Sequence, residues 1–133
     1  MGGSPPGPAL RSTLGRVRGL GAAKEGVGHW WAQRVTSVAL VPLLLWFVAS
    51  LIGLIGADHA AFSAWLRQPF NAVLMTVLLA AGFYHLQLGL QVIIEDYVHH
   101  AAAGIAANIL VKFATVLLAL SGIFSVLKIA FGG

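Results

Sequence analysis

Three long apolar runs, at residues 35–56, 72–94 and 101–127, are separated from one another by short polar stretches. Each exceeds the roughly 20 residues a helix needs to cross about 30 Å of hydrocarbon. No sustained heptad, tandem repeat or glycine-rich phosphate loop interrupts them. The pattern predicts an all-α, three-transmembrane-helix integral membrane protein with almost no extramembrane domain. Polar residues gather at the breaks. His29, Trp30, Trp31, Gln33 and Arg34 form a collar before the first run, where indole rings favour the headgroup level. Residues 57–71, carrying Asp58, His59, Trp65, Arg67 and Pro69, read as a short connection on the far side. Glu95, Asp96, Tyr97, His99 and His100 close the second run. Pro42 frees a carbonyl inside the first span, with Thr36, Ser37 or a neighbouring helix as candidate partners for it.

Composition sharpens this picture. The chain has 133 residues, of which 59% are hydrophobic and only 9% charged, and its mean hydropathy is +0.88. Soluble domains carry about 25% charged residues, and so few charges leave no means of covering a globule with a polar surface. The net charge of +4 points to topology rather than to nucleic acid, because Arg11, Arg16, Arg18, Lys24 and Arg34 all precede or abut the first span. Their excess over the single Arg67 of the first connection puts the amino terminus on the cytoplasmic side. Residues 1–28, rich in Pro and Gly at the front, read as a basic amino-terminal arm, and residues 29–133 as the anchor domain. A full-length span after the arm argues against a cleaved secretory signal, while the arm's lack of acids before Glu25 keeps a mitochondrial transit peptide open. The expected location is a bacterial inner (cytoplasmic) membrane, with the mitochondrial inner membrane as the alternative. Having no cysteine, the chain excludes thiolate-held zinc and iron–sulfur centres of its own.

The second span carries the chemistry. Polar groups at membrane depth are expensive and default to function. On a helix turning about 100° per residue, His85, Gly89, Val92 and Asp96 share a narrow stripe, with His85 and Asp96 about 16 Å apart along the axis. His85 has two readings: an axial ligand to haem iron, or a bundle histidine hydrogen-bonded to a neighbouring helix. Gly82 and Gly89 flank it and would leave room for a flat macrocycle. His99 and His100 lie about 20 Å further along the same axis, while His29 and His59 sit near opposite ends of the first span. A second axial ligand would therefore come from another subunit. Asp96 and Tyr97 suit a quinone headgroup, because a phenol donates a hydrogen bond and a carboxylate relays protons; a helix end meeting water explains them equally. Arg34 is a headgroup anchor or a donor near a quinone or haem propionate. Gln87 and Gln91 are candidates for interhelical hydrogen bonds, and Lys112 for snorkelling to headgroups or meeting an acid.

The order of these features resembles a known family. A basic arm, His29 before Arg34-Val35-Thr36, a span, a short loop, then His85 followed by ten residues and Asp96-Tyr97, then a third span, is similar to the hydrophobic membrane anchor subunits of succinate dehydrogenase, respiratory complex II. The resemblance covers nearly all of the chain from His29 onward. It implies a haem b ligated by one histidine from each of two anchor subunits, here His85. It implies a ubiquinone site near the cytoplasmic or matrix face, with Tyr97 hydrogen-bonding a quinone oxygen and Asp96 supporting proton delivery. Arg34 and His29 match positions near the haem propionates and the quinone pocket. The implied partners are a second cytochrome b anchor subunit, an iron–sulfur subunit and a flavoprotein subunit, within the tricarboxylic acid cycle and respiratory chain. Two rivals stay open on the residues alone: a cofactor-free structural or assembly subunit, and a small proton-conducting subunit using His85 and Asp96 as a relay.

Overall fold

A computed structural model describes residues 22–132. Four helices follow in order: α1 (Ala22–Gly53), α2 (His59–Arg67), α3 (Pro69–Tyr97) and α4 (Ala101–Ala130), with no strand among the described residues. Three of them, α1, α3 and α4, are long and apolar enough to cross a membrane, as the hydrophobic pattern predicts. The chain divides into two units, residues 1–32 and 33–133. In the first unit, residues 22–32 are helical and the exposed Trp30 and Trp31 rings meet edge to face at 5.3 Å. Helix thus reaches into the segment read as an arm; the basic stretch before residue 22 lies outside the described residues.

In the second unit, α3 and α4 form the closest pair. A Cβ added at Gly122 of α4 would stand 3.2 Å from Leu79 Cδ1 of α3, so only hydrogen fits there comfortably. Small residues that let helices approach are the usual basis of helix association in lipid, where apolar surface alone gives no preference for protein over acyl chain. Farther along the same interface, Thr115 Oγ1 lies 3.1 Å from Gln87 Oε1 and also within reach of the Val111 and Lys112 carbonyls of its own helix, at 2.8 and 3.1 Å, and Thr115 is buried. Gln87 is therefore an interhelical partner as expected. Gln91 is not: its Nε2 donates to Glu95 Oε1 at 3.1 Å within the same helix.

The connection at residues 57–71 is more ordered than a loop. Gly56, at φ +83°, turns the chain after α1, and Asp58 Oδ1 then accepts from Ala61 N at 2.8 Å as the cap of α2. Phe62, Trp65 and Leu66 recur at the i, i+3, i+4 spacing of a helical face, too short a run to stand out from sequence. Leu66 is only 2% exposed, and Trp65 stacks on Trp46 of α1 at 5.7 Å and 19°. Asn71 is buried, its Nδ2 donating to Trp65 O at 3.0 Å and Gln68 Oε1 at 3.1 Å, so the carbonyl at the end of α2 is satisfied. The second span starts at Pro69, because proline at the first helical position gives up an N–H that would have no partner anyway.

Helix α1 runs unbroken through Pro42. Thr36 and Ser37, the hydroxyls offered as partners for the carbonyl that Pro42 frees, share another acceptor. Both turn back to Gln33 O, at 3.1 Å and 2.7 Å. Much of what α1, α3 and α4 present outward is large and apolar, with Val38 73%, Leu110 69% and Phe124 69% exposed. In water such a surface would aggregate; in a membrane it meets lipid or protein.

Candidate functional site

His85 occupies the inner part of α3, half-buried, on the side that meets α1. Its Nδ1 lies 2.8 Å from Thr36 Oγ1, and Thr36 is itself buried at 9% exposure. The same hydroxyl lies 3.1 Å from Gln33 O, one turn earlier in α1. No hydrogen bond to His85 Nε2 occurs among the described residues. The imidazole is thus tied at one nitrogen and available at the other.

The flanking glycines behave differently from one another. A Cβ at Gly82 would touch Leu40 Cδ2 of α1 at 4.0 Å, ordinary contact, so this glycine is partly filled from within the chain. A Cβ at Gly89 would meet nothing within 4 Å. Beside Gly82, an apolar cleft of about 420 Å³ opens between α1 and α3, bounded by Leu40, Phe47, Met75 and Phe83.

Asp96 and Tyr97 stand at the carboxyl end of α3, both exposed, Tyr97 at 77%. Helical rise puts them about 16 and 18 Å from His85 along the axis. The structure therefore keeps the imidazole and the acid–phenol pair apart, as two stations on one helix. Arg34 is exposed on α1, two residues before Thr36. His29, in the first unit, is half-buried, and its Nε2 has no hydrogen-bond partner. Gln33 Oε1 is likewise buried and unsatisfied. Exposed His100 caps α4, its Nδ1 accepting from Ala103 N at 3.2 Å, so this histidine has a structural task. Among the described residues no three His, Cys, Asp or Glu side chains gather as a metal site. The donor set at membrane depth is one imidazole.

Sequence reasoning singled out His85, Asp96 and Tyr97 but gave Thr36 another task, as a partner for the carbonyl freed by Pro42. A hydroxyl inside an apolar run is visible in sequence. Its pairing with a residue 49 positions away depends on the rotation of two helices about their axes, which one sequence does not fix.

Residues 8–121 match the family described as succinate dehydrogenase/fumarate reductase transmembrane subunit. The chain is 32% identical over 89 residues to a succinate dehydrogenase hydrophobic membrane anchor subunit of Rickettsia bellii (strain RML369-C), covering 67% of this chain and 71% of that one. It is 33% identical over 81 residues to the subunit of the same name in Paracoccus denitrificans, covering 61% and 63%. A succinate dehydrogenase membrane anchor subunit of Reclinomonas americana is 29% identical over 92 residues, covering 67% and 77%. No solved structure matches significantly.

Proposed function

The chain belongs to the succinate dehydrogenase/fumarate reductase transmembrane subunit family, and from that premise we propose that it is the smaller anchor of a succinate:ubiquinone oxidoreductase. In this role it holds half of a haem b, contributes to the ubiquinone-reducing site and docks the soluble iron–sulfur and flavoprotein subunits to the membrane. It does not oxidise succinate. The amino terminus lies on the cytoplasmic side of a bacterial inner membrane, and the carboxyl end of α3 returns to that side.

One observation carries the reading. A half-buried imidazole within a membrane-crossing helix is hydrogen-bonded at Nδ1 and free at Nε2, the arrangement by which metal-ligating histidines are usually held. The residues fit a haem on chemical grounds too. With no thiolate in the chain and a single imidazole at depth, His85 supplies one axial nitrogen and a second anchor subunit supplies the other. The open space beside Gly89 leaves room for a flat ring. When bound, haem b supplies a one-electron carrier in the membrane.

The remaining steps belong to this chain's own groups. Tyr97, exposed at the cytoplasmic end of α3, donates its phenolic proton in a hydrogen bond to a quinone carbonyl oxygen. Asp96 beside it takes protons from water and passes them on as the quinone is reduced. Arg34 and His29 add donors on the same side of the membrane, toward haem propionates or the quinone headgroup. The decisive test is the reduced-minus-oxidised optical spectrum of the purified complex. His85→Ala should abolish the haem b bands while the soluble subunits remain attached, and an unchanged spectrum would remove His85 from the site.

A further inference from the structure

We propose that Thr36 is the positioning residue for His85, accepting a hydrogen bond from Nδ1–H while its own hydroxyl donates one to the Gln33 carbonyl oxygen, so that the lone pair is fixed at Nε2. This inference rests on the reading of His85 as a haem ligand and deepens it.

Protons decide which nitrogen is free. The Thr36 hydroxyl has one hydrogen, and both Gln33 O, at 3.1 Å, and His85 Nδ1, at 2.8 Å, lie within its hydrogen-bond reach. A carbonyl oxygen only accepts. When the hydroxyl proton points at Gln33 O, a lone pair of Oγ1 faces Nδ1, and that nitrogen must carry the imidazole hydrogen. Nε2 is then unprotonated and able to bind iron. With the hydroxyl proton turned to Nδ1 instead, the imidazole hydrogen sits on Nε2 and no ligand exists. Threonine within a helix is predisposed to the first arrangement, because its hydroxyl readily bonds a carbonyl three or four residues back. The neighbouring hydroxyl follows the same habit, Ser37 Oγ donating to that same carbonyl at 2.7 Å.

Burial gives the relay its force. Thr36 is 9% exposed, so bulk water is poorly placed to replace it. Among the described residues, Thr36 is the group of α1 that bonds His85. A hydrogen bond donated by Nδ1 also makes the ligating nitrogen more basic, which favours ferric over ferrous iron. Thr36 therefore sets two properties of the centre, retention of the haem and its potential. Loss of a partner of this kind typically costs about 10–100-fold in metal affinity. Each tenfold by which the ferric state is weakened more than the ferrous raises a one-electron potential by about 59 mV.

The experiment uses the intact complex and compares wild type, Thr36→Val, Thr36→Ser and His85→Ala by haem content, optical spectrum and redox titration of the haem. Thr36→Val keeps the shape and removes the acceptor; it should raise the midpoint potential and speed haem loss. Thr36→Ser should return both close to wild type. A wild-type potential and retention in the Val variant would overturn the proposal, as would equal shifts in Val and Ser, which would assign the effect to the lost methyl packing. Where the Val variant does not assemble, Thr36→Cys decides, since a thiol is a weaker acceptor of nearly serine's size: a potential above that of the Ser variant supports the relay and an identical one overturns it. Retention of haem bands in His85→Ala would instead refute the ligand reading, whatever Thr36 does.

Discussion

A tyrosine that is 77% exposed at the end of its helix contributes little to packing in this chain, so substituting it tests chemistry with small interference from folding. Tyr97→Phe removes one phenolic donor and nothing else. A hydrogen bond with a net worth of up to about 1.5 kcal/mol corresponds to roughly tenfold in rate. Quinone reduction in the variant should fall by about that factor or more, while succinate-driven reduction of an artificial dye, which draws electrons upstream of the quinone, should stay near wild type. Equal loss with both acceptors would count against Tyr97 at a quinone. At this scale the sequence was informative wherever a residue was costly for its surroundings. An imidazole in the middle of an apolar run and an acid–phenol pair at its edge are conspicuous because lipid penalises them. Thr36 stood out only as a hydroxyl at the start of the first span, since a threonine satisfies its hydroxyl on its own helix at little cost, and its bond to His85 appears only once two helices are set side by side.

Helices of the membrane-crossing kind are legible for the same reason, and α2 shows where that legibility ends. Apolar length alone predicts α1, α3 and α4, because a backbone in hydrocarbon must satisfy its own hydrogen bonds. A nine-residue helix has no such compulsion. It exists because Asp58 caps its start, Asn71 takes up the Trp65 carbonyl at its end, and Trp65 stacks on Trp46. Helix pairing was likewise invisible beforehand: Gly122 is one of 16 glycines, and only its 3.2 Å clearance to Leu79 marks it as the close approach of α3 and α4. Gly122→Leu forces that interface apart, and overpacking of this kind typically costs about 1–3 kcal/mol. The purified complex should then lose its haem b bands at a lower temperature than wild type. Gly89→Ala, at a site with nothing within 4 Å, should show no such penalty from packing inside this chain, so any loss of haem there reports a clash with the bound ring. An unchanged melting profile for Gly122→Leu would mean that α3 and α4 do not meet as described.

For the molecule as a whole, the exposed apolar side chains and the lone imidazole make one argument. Val38, Leu45, Leu110, Phe113 and Phe124 are each more than half exposed, and helices in lipid gain no general advantage from burying such surface against each other. What selects a partner must be more specific than apolar contact, and a shared metal is specific. Iron with two imidazole ligands needs both nitrogens about 2 Å away. Of the other histidines, His29 belongs to the first unit, near the start of α1, His59 starts α2, and His99 and His100 lie exposed beyond the end of α3. Expressed alone, the chain should therefore insert into the membrane yet show no six-coordinate haem b spectrum. Co-expression with a second anchor subunit carrying its own membrane-depth histidine should restore the bands, and mutating either histidine should both abolish them and weaken co-purification of the two anchors. Haem b with two nitrogen ligands in membranes containing this chain as the sole anchor would show that the centre is not shared, and the case for an obligate pair of anchors would fail with it.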